Sequence, residues 1–264
     1  MTREPAVCFG QPVSCDAGKQ PFWESTSSRC RDNERSIRLD HSPHLQPAAG
    51  DEPEAVCPRC LKPLLLNVCD EIKPVDNRIA LLVLQHPQEQ DKELGTARLA
   101  ALSLKKATFK VGLSWPSLAK ALGRPADPKN WAIVYLGSTR QGDFPPGSEI
   151  AAFDRQGKPI ADQAAALAHL EGIVVLDGTW SQAKTLWWRN PWVLKAKRIA
   201  IRPRHSSLYG KLRREPRREG LSTIEAAGFV LSRLEKKPEI ETAMNATLSR
   251  LLDRFRAVKG LKPA

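Results

Sequence analysis

The sequence has no long hydrophobic run, and no apolar stretch approaches the ~20 residues that a membrane-crossing helix needs. Its first residues, MTREPAVCFGQPVSC, lack the basic-then-apolar pattern of a secretory signal. We therefore expect a cytoplasmic protein that does not associate with membranes. The chain contains no internal repeat, and its 264 residues suffice for one sizeable α/β domain with appendages.

Cysteines are few, and their placement argues against a disulfide framework. The chain has six, half of them crowded into residues 57–69, and without a secretory signal we expect reduced thiols. The spacing Cys57-x-x-Cys60, followed by Cys69, is typical of a tetrahedral zinc site, although inert or redox thiols share it. We expect a structural zinc site here. The candidates for its fourth ligand are water, Cys30, His41, His44 or nothing.

Acidic residues are nearly absent from residues 195–218, which hold ten basic residues and one acid, Glu215. The whole chain has a net charge of +12. A solvated surface would explain such a run, but clustered cations also attract a phosphate backbone, and arginine suits phosphate well. We expect a nucleic-acid partner. The predicted contacts are Arg202, Arg204, Arg213, Arg214 and Arg217.

The pattern of polar, cysteine-rich and apolar stretches along the sequence predicts that the chain has three parts. Residues 1–50 are polar and show no sustained period, so we predict a poorly structured extension. Residues 51–75 form the cysteine unit, and residues 76–264 form an α/β domain that carries the candidate catalytic residues.

Apolar runs alternate with helical patterns in the third part. The predicted strands are 78–85, 131–136, 172–176 and 198–201. The predicted helices are 91–106, 161–170, 179–189, 222–234 and 238–258. Residues 141–159 are rich in glycine and proline and are predicted to be an insertion loop. This alternation predicts an α/β fold with a mostly parallel sheet and helices on both faces.

Asp177 follows the apolar run GIVVL directly, so we place it at the carboxyl end of a central strand, where open α/β sheets bind ligands. An aspartate in such a turn often only caps a helix. Here Thr179 and Gln182 have the spacing of a capping box and already serve that purpose. Asp177 is therefore a candidate functional residue.

A second capping box is predicted at Ser222 and Glu225, before an apolar helix. Free N–H groups at such a helix start can bind a ligand carboxylate. Ordinary capping explains the pattern equally well.

Several motifs together resemble the DTW-domain family. They are Cys57-x-x-Cys60 with Cys69, LQHPQE at 84–89, LDGTW at 176–180, Asn190-Pro191 and LSTIEA at 221–226. Two positions depart from the family pattern: Asn67 stands where a cysteine is usual, and Gly137-Ser138 replaces Pro-Ser.

The resemblance implies a relative of SPOUT-type RNA enzymes with a knotted α/β architecture. It further implies a tRNA-uridine aminocarboxypropyltransferase that uses S-adenosylmethionine, with Asp177 as the general base. The implied cofactor-binding residues are Leu176, Thr179, Trp180, Leu221, Ser222, Thr223, Glu225 and Ala226. Two alternatives stay open at this point: a non-catalytic zinc-containing RNA-binding protein, and an RNA methyltransferase with the same cofactor.

Overall fold

The computed structural model describes residues 55–90, 92–134, 141–210, 212 and 220–261. Its strands are β1 Ala80–Gln85, β2 Ala107–Val111, β3 Trp131–Val134, β4 Ile150–Phe153, β5 Gly172–Asp177 and β6 Lys197–Ile201. They form one sheet in the order β2-β1-β5-β3-β6-β4. All neighbouring strands are parallel except β4 and β6, which are antiparallel.

In the described part of the chain, six α-helices connect and cover the strands. They are α1 Ala97–Leu102, α2 Leu118–Leu122, α3 Gln163–Ala168, α4 Trp180–Arg189, α5 Thr223–Glu235 and α6 Pro238–Val258. Within the described residues, none of the helices combines the length and apolar character that a membrane crossing needs.

Alternate side chains of β1 enter two different cores, as expected for a strand that is buried on both faces. Leu81 and Val83 pack in a core that includes residues of α1, α5 and α6. Leu82 and Leu84 pack in a second core with residues of α2 and α4. The predicted mostly parallel sheet with helices on both faces is thus confirmed. The knot that the resemblance implies stays a prediction.

The helix predicted over 91–106 is wrong at both ends, because α1 has only six residues. Before it, the Gly95 N–H donates to the carbonyl of Lys92 and closes a tight turn. After it, the Ser103 hydroxyl bonds to the Leu99 carbonyl, and the Lys105 N–H donates to Val75. The chain then enters the edge strand β2, which the sequence analysis did not predict.

The insertion loop predicted over 141–159 is also wrong in part, since it contains β4. This strand adds to the sheet edge, where Ala152 pairs with Ile199 of β6. Its four residues are buried and apolar. The glycines and prolines on both sides hid a run too short to be recognised from the sequence.

The cysteine segment belongs to the same core as the C-terminal helices. Cys57, Val68, Cys69 and Ile72 are buried in the cluster that includes α5 and α6. Residues 1–50 lie outside the described part of the chain.

Asn190, from the Asn-Pro motif, fixes the loop after β2. Its side chain is fully buried and donates to the carbonyls of Leu113 and Leu186, at 3.0 and 2.7 Å. Its Oδ1 accepts the Trp115 N–H at 2.8 Å. The motif therefore has a structural role, because it joins the end of α4 to the loop after β2.

Glu235, at the end of α5, holds the start of β1. Its carboxylate accepts the backbone N–H groups of Arg78 and Ile79 at 2.9 and 2.8 Å, and its side chain is 2% exposed. The other end of β1 carries one side of the candidate site. This contact therefore helps to fix the position of β1 along its own axis.

We expect Glu235→Ala to lower the free energy of unfolding by about 1–3 kcal/mol, because it leaves these two donors without their acceptor. Urea denaturation measures the change. The matched control is Glu239→Ala at an exposed site in the first turn of α6, which loses only a dipole contribution of about 0.3–1 kcal/mol. Equal losses in the two variants would contradict this role for Glu235.

Candidate active site

Gln85 and Asp177 end two neighbouring parallel strands and lie side by side in the register of the sheet. The Gln85 side-chain amide donates to Asp177 Oδ2 at 2.8 Å. Just beyond the strands, the His86 N–H donates to the Asp177 carbonyl at 3.0 Å. The carboxyl end of β5 is thereby fixed against that of β1, at the edge where ligands bind in this class of fold.

The second carboxylate oxygen of Asp177 is held from a distant part of the chain. The hydroxyl of Thr223, the first residue of α5, donates to Asp177 Oδ1 in a short hydrogen bond. Each carboxylate oxygen thus has one protein donor. Since a carboxylate offers about four acceptor positions, Asp177 keeps capacity to accept a proton or a hydrogen bond from a ligand.

The turn after Asp177 is tight. Gly178 has a φ of +158°, and a Cβ placed on it would lie 2.8 Å from the Cβ of Gln182. Thr179 and Gln182 form the predicted capping box at the start of α4. The Gln182 amide also reaches Gln88 at 3.3 Å, which connects the start of α4 to the segment after β1.

The capping box predicted at the start of α5 is present as well, and Glu225 does more than cap. Its buried carboxylate accepts the Ser222 N–H at 2.9 Å, the Ser207 hydroxyl at 2.7 Å and the Leu208 N–H at 2.7 Å. It therefore positions residues 207–208 beside the start of α5. These three donors satisfy the Glu225 carboxylate within the protein.

The other predicted cofactor-binding residues lie around the same edge with different exposure. Leu176, Ser222 and Ala226 are buried. Trp180, Leu221 and Thr223 are half-buried, and Thr179 is exposed. The structure brings these residues together from the ends of β5 and the starts of α4 and α5. Their role toward a cofactor stays a prediction.

Cys57, Cys60 and Cys69 come together as predicted. Their sulfur atoms lie within 4.8 Å of one another, and the Sγ atoms of Cys57 and Cys69 are 3.8 Å apart. Tetrahedral zinc with Zn–S bonds of about 2.3 Å separates its sulfur ligands by roughly 3.8 Å. Burial, together with the neighbouring Cys60, raises the pKa of the Cys69 thiol. A bound cation relieves that penalty by stabilising the thiolates.

Asn67 lies beside two of the three cysteines. Its Oδ1 is 3.6 Å from Cys60 Sγ and accepts the Cys69 N–H at 3.0 Å. Among the described residues, no histidine, carboxylate or further cysteine joins the three thiols. The other candidates, Cys30, His41 and His44, lie outside the described part of the chain.

Lys62 is a buried cation that the sequence analysis did not select. Its ammonium donates to the carbonyl of Glu93 at 2.6 Å and to that of Lys92 at 3.4 Å. Burial lowers its pKa to about 8, against the opposing charges of Cys60, Glu93 and Asp177. Lys62 thus lies in the electric field of both the thiol cluster and Asp177. The sequence shows Lys62 two residues after the CxxC motif, but it does not show that the side chain is buried.

The predicted nucleic-acid contacts are only partly within the described chain. Arg202 lies 4.8 Å over the ring of Phe144 and donates to the Ser148 carbonyl at 3.4 Å. Arg204 is paired with Glu149 at 3.2 Å, yet its side chain is 76% exposed. The remaining three, Arg213, Arg214 and Arg217, lie outside the described residues.

The chain resembles known proteins over most of its length. The model of the DTW domain matches residues 54–256. The chain belongs to the DTW-domain family. The resemblance noted in the sequence is therefore confirmed, and Asp177, Thr179 and Trp180 carry the letters of the family name.

Relatives of this DTW-domain protein include three that are named tRNA-uridine aminocarboxypropyltransferase 2. The Macaca fascicularis protein is 29% identical over 83% of this chain and 68% of its own length. The Mus musculus protein is 27% identical over 78% of this chain and 65% of its own length. The Drosophila melanogaster protein is 25% identical over 71% of this chain and 70% of its own length. The chain thus spans about two thirds of each relative's length. No solved structure matches it.

The turn formed by residues 177–180 leaves no room for a side chain at Gly178. We expect Gly178→Ala to lower the free energy of unfolding by about 1–3 kcal/mol, because the new methyl group displaces Gln182 and opens the capping box. Urea denaturation tests this. Gly142→Ala is the matched control, because a Cβ there meets nothing within 4 Å. A Gly178→Ala protein as stable as the control would show that the turn relaxes freely.

Proposed function

We propose that this protein is a tRNA-uridine aminocarboxypropyltransferase, which transfers the 3-amino-3-carboxypropyl group of S-adenosylmethionine to N3 of a uridine in tRNA. Membership of the DTW-domain family and the names of the relatives support this proposal. The observation that carries it is the Asp177 carboxylate, held between Gln85 and Thr223 at the ligand-binding edge of the sheet.

The reaction is a displacement at carbon. Uridine N3 attacks the γ-carbon of the aminocarboxypropyl chain, and the bond between that carbon and the sulfonium sulfur breaks. The electron pair goes to sulfur, so methylthioadenosine leaves as a neutral thioether. The N3 proton passes to Asp177, which acts as general base.

Orientation decides which carbon reacts, because the same sulfonium also carries a methyl group. The positive end of the α5 helix dipole suits the carboxylate of the transferred group, since a helix N-terminus favours an anion. Trp180, at the start of α4, offers an aromatic face for the sulfonium cation or a base. Gln85 and Thr223 keep the Asp177 carboxylate in one orientation toward the reacting uridine.

Zinc belongs to this proposal as a structural ion. Cys57, Cys60 and Cys69 would hold it, and their burial in the core with α6 connects metal binding to folding. The ion would cross-link the segment that holds the three cysteines and would take no part in the reaction, because no general base is interleaved with the three thiols.

The tRNA would be bound by the basic stretch as well as by the active site. The assigned contacts are Arg202, Arg204, Arg213, Arg214 and Arg217. Arginines suit phosphate groups because each guanidinium can donate two parallel hydrogen bonds. The target uridine must be splayed out of its stack to reach Asp177. A cytoplasmic location fits both the substrate and the reduced thiols.

We expect Asp177→Asn to lower the single-turnover rate of transfer by about 10²–10⁴-fold, because an amide cannot accept the N3 proton. Affinity for S-adenosylmethionine should stay within about tenfold, since a lost base costs rate rather than ground-state binding. Labelled cofactor and tRNA measure the rate. The matched control is Asp70→Asn at an exposed position.

An Asp177→Asn protein that kept more than about a tenth of the wild-type rate would remove Asp177 as the base. Full retention of biological function in this variant would favour a non-catalytic RNA-binding protein.

We expect the purified protein to contain about one zinc ion per chain and to melt at a lower temperature after chelation. Elemental analysis and thermal unfolding measure both. Cys60→Ser should lose the metal. Asn67→Cys, which adds a fourth thiol beside the other three, should retain zinc against higher chelator concentrations. Metal-free protein with an unchanged melting temperature would overturn the zinc assignment.

A further inference from the structure

A polar cavity lies at the opposite edge of the sheet from Asp177. It has a volume of about 540 Å³ and is lined by residues that precede β3, follow β4 and precede β6. Because β4 runs antiparallel to β6, the end of β4 meets the starts of β3 and β6 at this edge. The charged residues in its lining are Lys129, Asp154, Arg155, Lys195 and Lys197.

Four cations face a single carboxylate in this cavity, and that carboxylate is already used. Asp154 Oδ1 accepts the N–H groups of Gln156 and Lys158 at 2.9 and 2.8 Å, so it builds the turn that carries Arg155. Within the described residues, none of the four cations has a carboxylate at salt-bridge distance. Their charge is therefore available to an anionic ligand.

The cavity is built by the fold as well as by charge. Lys197 donates to the carbonyl of Lys129 at 3.1 Å, which joins the start of β6 to the turn before β3. Arg155 and Lys195, which line it, are exposed. An open groove lined by four cations suits a chain of phosphates better than a single small anion.

The groove is separate from the candidate active site. At the groove edge, Trp131 at the start of β3 pairs with Gly172 at the start of β5. Asp177 lies five residues farther along β5, at its other end. At about 3.3 Å per residue, the groove and Asp177 are roughly 17 Å apart along the sheet. A stacked nucleic-acid strand covers that distance in about five nucleotides.

Helix α4 spans the same distance. It begins beside the active site and is ten residues long, or about 15 Å, and the chain then continues through Lys195 to the groove. On its surface Lys184 is exposed, and Trp188 is 72% exposed. A cation and an aromatic ring are the two side-chain types that hold an RNA strand without reading its sequence.

We propose that the groove formed by Lys129, Arg155, Lys195 and Lys197 binds backbone phosphates of the substrate tRNA, several nucleotides from the target uridine. The inference rests on the proposed function for the identity of the RNA. It adds a second anchoring point that none of the predicted arginine contacts provides.

The test is a double charge reversal, Arg155→Glu with Lys195→Glu. Losing two phosphate contacts should lower the slope of log K against log salt for tRNA binding by about 1.4–1.8. Affinity at low salt should fall at least tenfold, KM for tRNA should rise, and kcat at saturating tRNA should stay unchanged. S-adenosylmethionine affinity and the melting temperature should match those of the wild type.

The matched control is Lys73→Glu with Lys236→Glu, two exposed lysines that do not line the groove. It changes the net charge equally. An unchanged salt slope in the groove variant would overturn the proposal, as would an equal decrease in the control, which would indicate general electrostatic attraction.

Wild-type protein is assayed for transfer in the same series. If it binds tRNA but transfers nothing, while the groove variant still loses slope, the proposed reaction fails and the groove stands as an RNA-binding surface. If transfer proceeds and the groove variant binds tRNA like the wild type, only the groove is rejected.

Discussion

The pair of hydrogen bonds on the Asp177 carboxylate joins three segments that are far apart in the chain. Gln85 ends β1, Asp177 ends β5 and Thr223 begins α5. A carboxylate with a donor on each oxygen keeps one orientation, because rotation would break both bonds. The starts of α4 and α5 are brought to the same edge, so the cofactor-binding and base-bearing parts of the proposed site depend on this contact.

The surrounding structure supports that contact from several directions. Glu235 fixes the start of β1, Glu225 positions residues 207–208 beside α5, and Asn190 fixes the loop after β2. The buried Lys62 ammonium donates to the carbonyls of Glu93 and Lys92, between the cysteine segment and the start of α1. A zinc ion at the thiols would support the proposed active site through the core that the cysteine segment shares with α5, without entering the chemistry. These supports are buried polar groups whose bonding requirements are met within the protein.

Much of this could be predicted from the sequence where the signals are local. Continuous apolar runs identified β1 and β5, and the two capping boxes located the starts of α4 and α5 correctly. The CxxC spacing predicted the thiol cluster. The apolar run followed by a turn predicted that Asp177 lies at the end of a central strand. The family motifs predicted the chemistry of the site from the sequence alone.

The remainder depends on contacts between distant residues, which composition and periodicity do not encode. The short edge strands β2 and β4 have too few residues for a clear period, and β4 lies among glycines and prolines. Gln85 reads as one more residue of an apolar strand until the sheet register places it beside Asp177. The basic groove combines turns separated by up to 68 residues, from Lys129 to Lys197, and the pairing of β6 with both β3 and β4 brings them together.

The central claim is that this DTW-domain protein transfers the aminocarboxypropyl group rather than methyl. Its most direct test is mass spectrometry of nucleosides and small molecules after purified protein has been incubated with S-adenosylmethionine and tRNA. The account predicts uridine carrying an aminocarboxypropyl group, with methylthioadenosine formed in equal amount. A methylated nucleoside with S-adenosylhomocysteine, or unmodified tRNA with intact cofactor, would contradict it.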